Sequence, residues 1–214
     1  MSDAQTILSE CYTGAVHDVM RARGMRNFTL PPTLMPLMED ARICGPAFTI
    51  EGKTGDIDAH ETLMAWTGLL SRAPKGSVWV CQPNDDIVAL MGELSAETLQ
   101  AKGVKGAVID GGTRDTPFLV RLGFPVWRRF NTPRDIVGYW LPKTVDEPIV
   151  IGEVTVHPRD IVLADRDGVV VVPADQAEEI AGEAHTAMNT ENLVRKAILD
   201  GVDPQEAYRR FGKF

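Results

Sequence analysis

Three cysteines in 214 residues, at positions 11, 44 and 81, are too few and too scattered to staple a secreted scaffold or to build a thiolate metal site. Buried thiols in a reducing cytoplasm fit them. No apolar run approaches a membrane span. The first residues, Met-Ser-Asp-Ala-Gln, carry neither the basic stretch nor the apolar core of a secretory leader, so no membrane association is expected. Basic residues are outnumbered, 22 Lys and Arg against 30 Asp and Glu. The resulting charge of −8 argues against nucleic acid as a main partner, because phosphate binding needs a basic surface. Small anions stay open, since one local Arg can hold one inside an acidic protein. A Rossmann glycine fingerprint, a phosphate-binding loop and a Gly-x-Ser-x-Gly elbow are all missing, and nothing marks a covalent nucleophile. Asn27-Phe28-Thr29 matches a glycosylation acceptor, which without secretion is chance.

What is present is enough for a substantial core. An apolar fraction of 44% over this length predicts one domain spanning 1–214. The most informative stretch runs from Gly92 to Asp115, between flanking strands. Val88–Met91 is a short apolar strand that stops at Gly92. Glu93–Lys102 reads as a helix ended by Gly103, where a left-handed cap costs little. Gly106–Ile109 is a second strand, ending in Asp110-Gly111-Gly112, where the glycines make a tight turn or admit a ligand to the backbone. A helix then starts near Thr116-Pro117, stops at Gly123 and precedes a third strand, Phe124–Trp127. Strand, helix, strand, helix, strand at this spacing predicts parallel strands with right-handed crossovers. Ligands bind at the carboxyl ends of such strands, where helix N–H groups favour anions.

Arg114 and Asp115 follow the second of these strands. A guanidinium grips a carboxylate at two points, and a neighbouring Asp can hold a hard divalent metal through oxygen. The competing reading is a surface ion pair, or Asp115 as a helix cap. Gly92-Glu93-Leu94-Ser95 offers N–H groups to a substrate carboxylate, with Glu93 beside them as acid, base or holder of a metal-bound water; otherwise Glu93 only complements the helix dipole.

Elsewhere, residues 4–23 read as helical with a possible break at Gly14, and residues 27–39 as a proline-rich loop. Ala41–Glu51 reads as a strand with a bend or bulge at Gly45-Pro46, Asp58–Ser71 as a helix and Ser77–Cys81 as a strand. Asp135–Leu141 and Pro148–Val156 read as strands. Asp160–Ala164 and Gly168–Pro173 form a hairpin around Asp165-Arg166-Asp167-Gly168. Ala174–Leu199 and Pro204–Phe211 read as helices. Asp56, Asp58, His60 and Glu61 lack zinc spacing and read as a capped, solvated helix start. Asp18 reads as an exposed helix residue, with a place in a pocket as the alternative. His157 and His185 read as structural or exposed, and Trp66, Trp79, Trp127 and Trp140 as core or subunit contacts.

These residues resemble the family that contains 4-hydroxy-4-methyl-2-oxoglutarate aldolase, 4-carboxy-4-hydroxy-2-oxoadipate aldolase and the regulator of ribonuclease E activity. The resemblance runs from Ala15-Val16-His17-Asp18 through Cys44–Thr49 and the Gly92–Asp115 core to Asp165–Pro173, and its most specific part is the acidic residue 93 followed by Arg-Asp at 114–115. It implies an α/β fold, a mixed-sheet swivelling β/β/α-type domain with parallel βαβ units and flanking helices, assembled as homotrimer or homohexamer with sites between subunits. It implies a metal-dependent pyruvate aldolase of the class II type that also decarboxylates oxaloacetate. Asp115 would hold the divalent cation, Mg2+ or Mn2+. Arg114 would bind the keto oxygen and stabilise the enolate, Gly92 to Ser95 would wrap the carboxylate of a small oxo acid, and Glu93 would help move the proton of the C4 hydroxyl. Two positions depart from the pattern. Glu93 stands where the aldolases often carry Asp, and Phe118 where some relatives carry an acidic residue, so substrate specificity does not carry over. The alternatives are a protein-binding regulator of a ribonuclease, which needs no metal, and a related lyase for another oxo acid.

Overall fold

A computed structural model describes residues 3–212 of the chain. It begins with helices α1 (Asp3–Glu10) and α2 (Thr13–Ala22), a short strand β1 (Met35–Pro36) and a long strand β2 (Ile43–Thr54). The centre is α3 (Ala59–Arg72), β3 (Val78–Gln82), β4 (Ala89–Met91), α4 (Glu93–Ala101), β5 (Gly106–Thr113), α5 (Thr116–Leu122) and β6 (Val126–Asn131). Strand β7 (Trp140–Val145) follows, then the strand pairs β8 (Ile149–Ile151) with β9 (Val154–Val156) and β10 (Ile161–Asp165) with β11 (Gly168–Val172). Helices α6 (Ala177–Leu199) and α7 (Pro204–Phe211) end the described chain.

The main sheet is mixed, in the order β1-β6-β5-β3-β2-β10-β11, with β4 added to β5 and β7 to β2. The β2-β3, β3-β5, β4-β5 and β5-β6 pairs are parallel, as short apolar strands alternating with helices predict. The β1, β7, β10 and β11 pairings are antiparallel. Strand β3 lies inside the sheet and is apolar on both faces, as buried parallel strands are. Trp79 and Cys81 face the cluster under α3, α4 and α5, while Val78 and Val80 face the one built with β8, β9, β10 and β11. A third cluster packs α1, α2 and α6 on β10 and β11. All four tryptophans are buried, and Trp66 meets Trp79 and Trp140 edge-on.

Four expectations need correction. The strand read over 41–51 continues to Thr54, and Gly45-Pro46 is not bulged. There the antiparallel pairing of β2 with β10 runs through Pro46, and its parallel pairing with β3 begins at Ala47. The irregularity lies at Glu51/Gly52, where a Cβ on Gly52 would come within 2.1 Å of the Trp140 ring. Residues 135–139 form a loop rather than a strand, which starts only at Trp140. The strand read over Pro148–Val156 is two strands turning at Gly152, whose φ of 61° suits a residue without Cβ. Finally, Asp110-Gly111-Gly112 lies within β5, at its irregular register with β6. Added Cβ atoms would meet Pro83 at 2.8 Å from Gly111 and Phe130 at 2.5 Å from Gly112, so these glycines serve packing within the sheet.

Candidate active site

Strands β4 and β5 run side by side in parallel, with Met91 abreast of Thr113. Each leads directly into a helix, so two helix starts sit next to each other at one edge of the sheet. The Arg114 N–H donates to Met91 O at 2.8 Å and ties the second junction to the first. Gly92 is the cap residue of α4 in extended backbone. A Cβ there would lie 2.6 Å from Asp115 Oδ2 and 3.1 Å from Arg114 Cγ, so the glycine is needed for close approach.

Asp115 is not a cap for its own helix. Its backbone is left-handed, with φ 54° and ψ 33°, and its side chain makes no capping bond to α5. Instead Oδ2 reaches across to α4 and accepts from the Glu93 N–H at 3.1 Å. Asp is one of the few L-residues that tolerate this conformation. The turn thus aims a carboxylate at the neighbouring helix start. Arg114 Nε lies 3.4 Å from the same oxygen, and its Nη1 lies 3.2 Å from Asp135 Oδ2. Both Arg114 and Asp115 side chains are 37% exposed, accessible from solvent yet anchored.

The first-turn N–H groups of a helix have no carbonyl one turn back. In α4 the Glu93 N–H is taken by Asp115 and the Ala96 N–H by Gly92 O. Among the described residues, nothing accepts from those of Leu94 and Ser95. Glu93, Leu94 and Ser95 line, with Gly92, Arg114 and Asp115, one cavity of about 630 Å³. That volume falls within the roughly 300–1,000 Å³ of small-molecule sites. The structure thus brings all six predicted site residues into one cavity.

Asp135 is a site residue that sequence reading missed, because it was assigned to a strand. The Ala89 N–H donates to Arg134 O at 2.8 Å, which fixes the loop after β6 against β4 and holds Asp135 beside Arg114. Other candidates lie elsewhere. Asp58 caps α3 through the Glu61 N–H at 3.0 Å, and none of Asp56, Asp58, His60 and Glu61 lines this cavity. Asp18 pairs with Arg21 at 3.1 Å and borders a separate groove with α6 and α7. The His157 N–H bonds Asp160, and the His185 ring lies near Asn189. The three cysteines are free. Burial raises the thiols of Cys11 and Cys81 above their ordinary range and pushes Cys44 up to about 12, so they are inert packing groups.

Among the described residues, no group of three or more His, Cys, Asp or Glu could hold a metal ion. Asp115, which the resemblance implies as the holder of a divalent cation, is not part of any such group. Its Oδ1 has no hydrogen-bond partner among the described residues, while Oδ2 is fixed by Glu93 N–H. One hard, oriented carboxylate oxygen suits a Mg2+-like ion that keeps most of its waters, and does not suit a closed zinc site.

The chain is similar to known proteins over most of its length. A Halalkalibacterium halodurans protein bearing the name "Putative 4-hydroxy-4-methyl-2-oxoglutarate aldolase" is 27% identical over 208 residues, covering 95% of this chain and 90% of its own. The crystal structure of an uncharacterized protein from Pseudomonas syringae pv. tomato matches with a TM-score of 0.90 at 25% identity, over 99% of this chain and 95% of that one. Streptomyces coelicolor RraAS2, described as an unusual member of the RNase ES inhibitor RraA protein family, matches with a TM-score of 0.81 at 27% identity, over 91% and 96% of the two chains. The family model for RraA-like proteins (Aldolase/RraA) matches residues 13–171, a span that takes in both helix junctions, the Asp135 loop and the Asp165 hairpin, and the chain belongs to that family.

Proposed function

We propose that the protein is a divalent-metal-dependent lyase that cleaves a 4-hydroxy-2-oxo acid to pyruvate and decarboxylates oxaloacetate through the same pyruvate enolate. One observation carries this reading. A guanidinium, a fixed carboxylate and the first turn of a helix line one cavity, on the two turns that Gly92 allows to touch. In cleavage the C3–C4 bond breaks, its electron pair moves toward C3, and negative charge collects on the C2 oxygen. The proton of the C4 hydroxyl must leave at the same time.

Each residue has a part in this reading. Leu94 and Ser95 N–H receive the substrate carboxylate, where the positive end of α4 favours it. Arg114 donates to the C2 oxygen and stabilises the charge that grows there. Asp135 and Asp115 hold the guanidinium from two sides, which keeps it oriented before the substrate arrives. Glu93 accepts the hydroxyl proton, directly or through a water. Asp115 Oδ1 would hold the cation, which supplies Lewis-acid stabilisation of the same oxygen. Because the family contains RraA proteins as well as named aldolases, the competing reading is a binding protein without chemistry. An intact anion clamp beside a free carboxylate oxygen supports the enzyme.

A coupled assay for pyruvate release with and without magnesium tests this. We expect release that stops on chelation, and a loss of about 100- to 1,000-fold in kcat for Arg114→Ala, the scale of removing a donor to a developing oxyanion. Chelator-insensitive turnover, or wild-type turnover by Arg114→Ala, would remove the basis for the assignment.

A further inference from the structure

Asp135 reaches Arg114 from a loop, and that loop is held by a residue that stands outside the cavity. Arg134 O accepts from the Ala89 N–H of β4 at 2.8 Å, which pins one side of Asp135. The other side is pinned by α3. Thr62 Oγ1 accepts from the Gly138 N–H at 3.2 Å and donates its own proton to Asp58 O, also at 3.2 Å. Gly138 is left-handed, with φ 77°, and its carbonyl accepts from the Ile57 N–H at 3.2 Å. Within the loop, Asp135 Oδ1 accepts from the Val137 N–H at 3.1 Å, and Oδ2 lies 3.2 Å from Arg114 Nη1. Directed contacts thus run from Thr62 through Gly138, Val137 and Asp135 to the guanidinium. Each is made within one chain.

The residue type at 62 is informative. Thr62 is fully buried and does not line the cavity, although its neighbour Leu63 and Trp66 one turn on both do. A buried helical hydroxyl is satisfied by the carbonyl one turn back, here Asp58 O, whereas valine has the same shape and no hydroxyl to desolvate. What threonine adds is the acceptor for Gly138. Ile136 is buried in the core and also holds the loop down. Apolar burial is non-directional, so it fixes the depth of the loop and not the angle at which Asp135 leaves it. Hydrogen bonds are directional and fix that angle.

Resting on the lyase reading, we propose that Thr62 is a positioning residue: its hydroxyl sets the loop that carries Asp135, and through Asp135 the angle at which Arg114 meets the C2 oxygen. The test uses the full chain with magnesium and oxaloacetate. It compares Thr62→Val, Thr62→Ala, Thr62→Ser and Asp135→Ala, and adds Thr62→Val in the Asp135→Ala background. Thr62→Val keeps the shape and removes the acceptor; Thr62→Ala removes it by truncation. We expect either to lower kcat by about tenfold, less than the roughly 100-fold of a full 1 Å displacement. KM should hold, because Arg114 answers charge that develops only in the transition state. Thr62→Ser keeps the hydroxyl and should recover the lost rate. In the Asp135→Ala background, Thr62→Val should cost less than about twofold, because its route to Arg114 is already cut. Equal losses in both backgrounds would mark an independent, structural role and overturn the proposal, as would wild-type kcat in Thr62→Val. A second readout needs no turnover. The Arg114 Nε–H proton, assigned in NMR spectra by its loss in Arg114→Lys, should exchange with water about tenfold faster in Thr62→Val as its anchor opens locally. Unchanged exchange would overturn the proposal whether or not pyruvate forms. If the wild type releases no pyruvate while exchange quickens in Thr62→Val, the lyase reading falls and the link from Thr62 to Arg114 stands.

Discussion

The distance between Gly92 and Asp115 decides whether this protein has a site. The Asp115 carboxylate occupies the place where a side chain at 92 would begin, and its backbone pays for that reach with a left-handed conformation. Adding one methyl group should therefore act at a distance from the methyl itself. Gly92→Ala must push Asp115 Oδ2 off the Glu93 N–H and move Arg114 with it. Misplacement of reacting groups by about 1 Å costs on the order of 100-fold in rate. We expect kcat for pyruvate release to fall by about that factor in Gly92→Ala, with cooperative unfolding retained; unchanged kcat would mean the contact does not position the pair. At Asp115 two substitutions separate charge from conformation. Asn tolerates the left-handed region and Ala does not, by roughly 1–2 kcal/mol. Asp115→Asn should unfold in urea at the wild-type midpoint and lose metal-dependent activity, whereas Asp115→Ala should lose activity and about 1 kcal/mol of stability. Equal midpoints for the two variants would show that the turn is not strained.

At the scale of elements, the part of the fold that builds the site was readable because it is written in local signals. Strands β4, β5 and β6 are short apolar runs, and Gly92, Gly103 and Gly123 stand at the helix starts or stops between them. Such runs have few places to go in a parallel sheet, so their carboxyl ends, and with them residues 92–95 and 114–115, could be placed from sequence. Asp135 could not. Its position depends on the Ala89–Arg134 backbone bond and on no periodic pattern, and a Val-Gly-Tyr-Trp stretch beside it imitates a strand. The turn at Gly152 carried a usable signal, Gly-Glu between Ile-Val-Ile and Val-Thr-Val, that a single longer strand obscured. Asp165 was readable as a hairpin residue but not as a staple. It is buried, and its carboxylate accepts from Thr13 N–H at 2.8 Å and Thr13 Oγ1 at 2.7 Å, so the β10-β11 turn caps the start of α2 across 152 residues of sequence. A third bond comes from Asp167 N–H at 3.0 Å. Removing the carboxylate strands buried donors, each costing about 1–3 kcal/mol. Asp165→Ala should lose about 2–3 kcal/mol in urea unfolding with the m-value unchanged, and a loss under 0.5 kcal/mol would show that water replaces the carboxylate without penalty.

For the whole molecule, the fold and the proposed cofactor are separable. Three apolar clusters hold the layers together, and Trp79, Trp127 and Trp140 are fully buried in them. Proteins whose metal is part of the fold gather several ligands around it and unfold when it is removed. In the proposed site one partly exposed carboxylate would be the anchor, so a bound cation would stabilise the native state only by mass action. At ten times its dissociation constant such an ion adds about 1.4 kcal/mol, which for a chain of this size corresponds to a shift of about 3–6 °C in Tm. Chelation should therefore abolish pyruvate release completely, lower Tm by no more than about 6 °C and leave the far-ultraviolet circular dichroism unchanged. Returning magnesium should restore full activity without a refolding delay. Loss of helical signal on chelation, or recovery only through slow refolding, would instead place the metal inside the folding unit, and a single-carboxylate anchor at Asp115 would then be the wrong description of how this chain holds it.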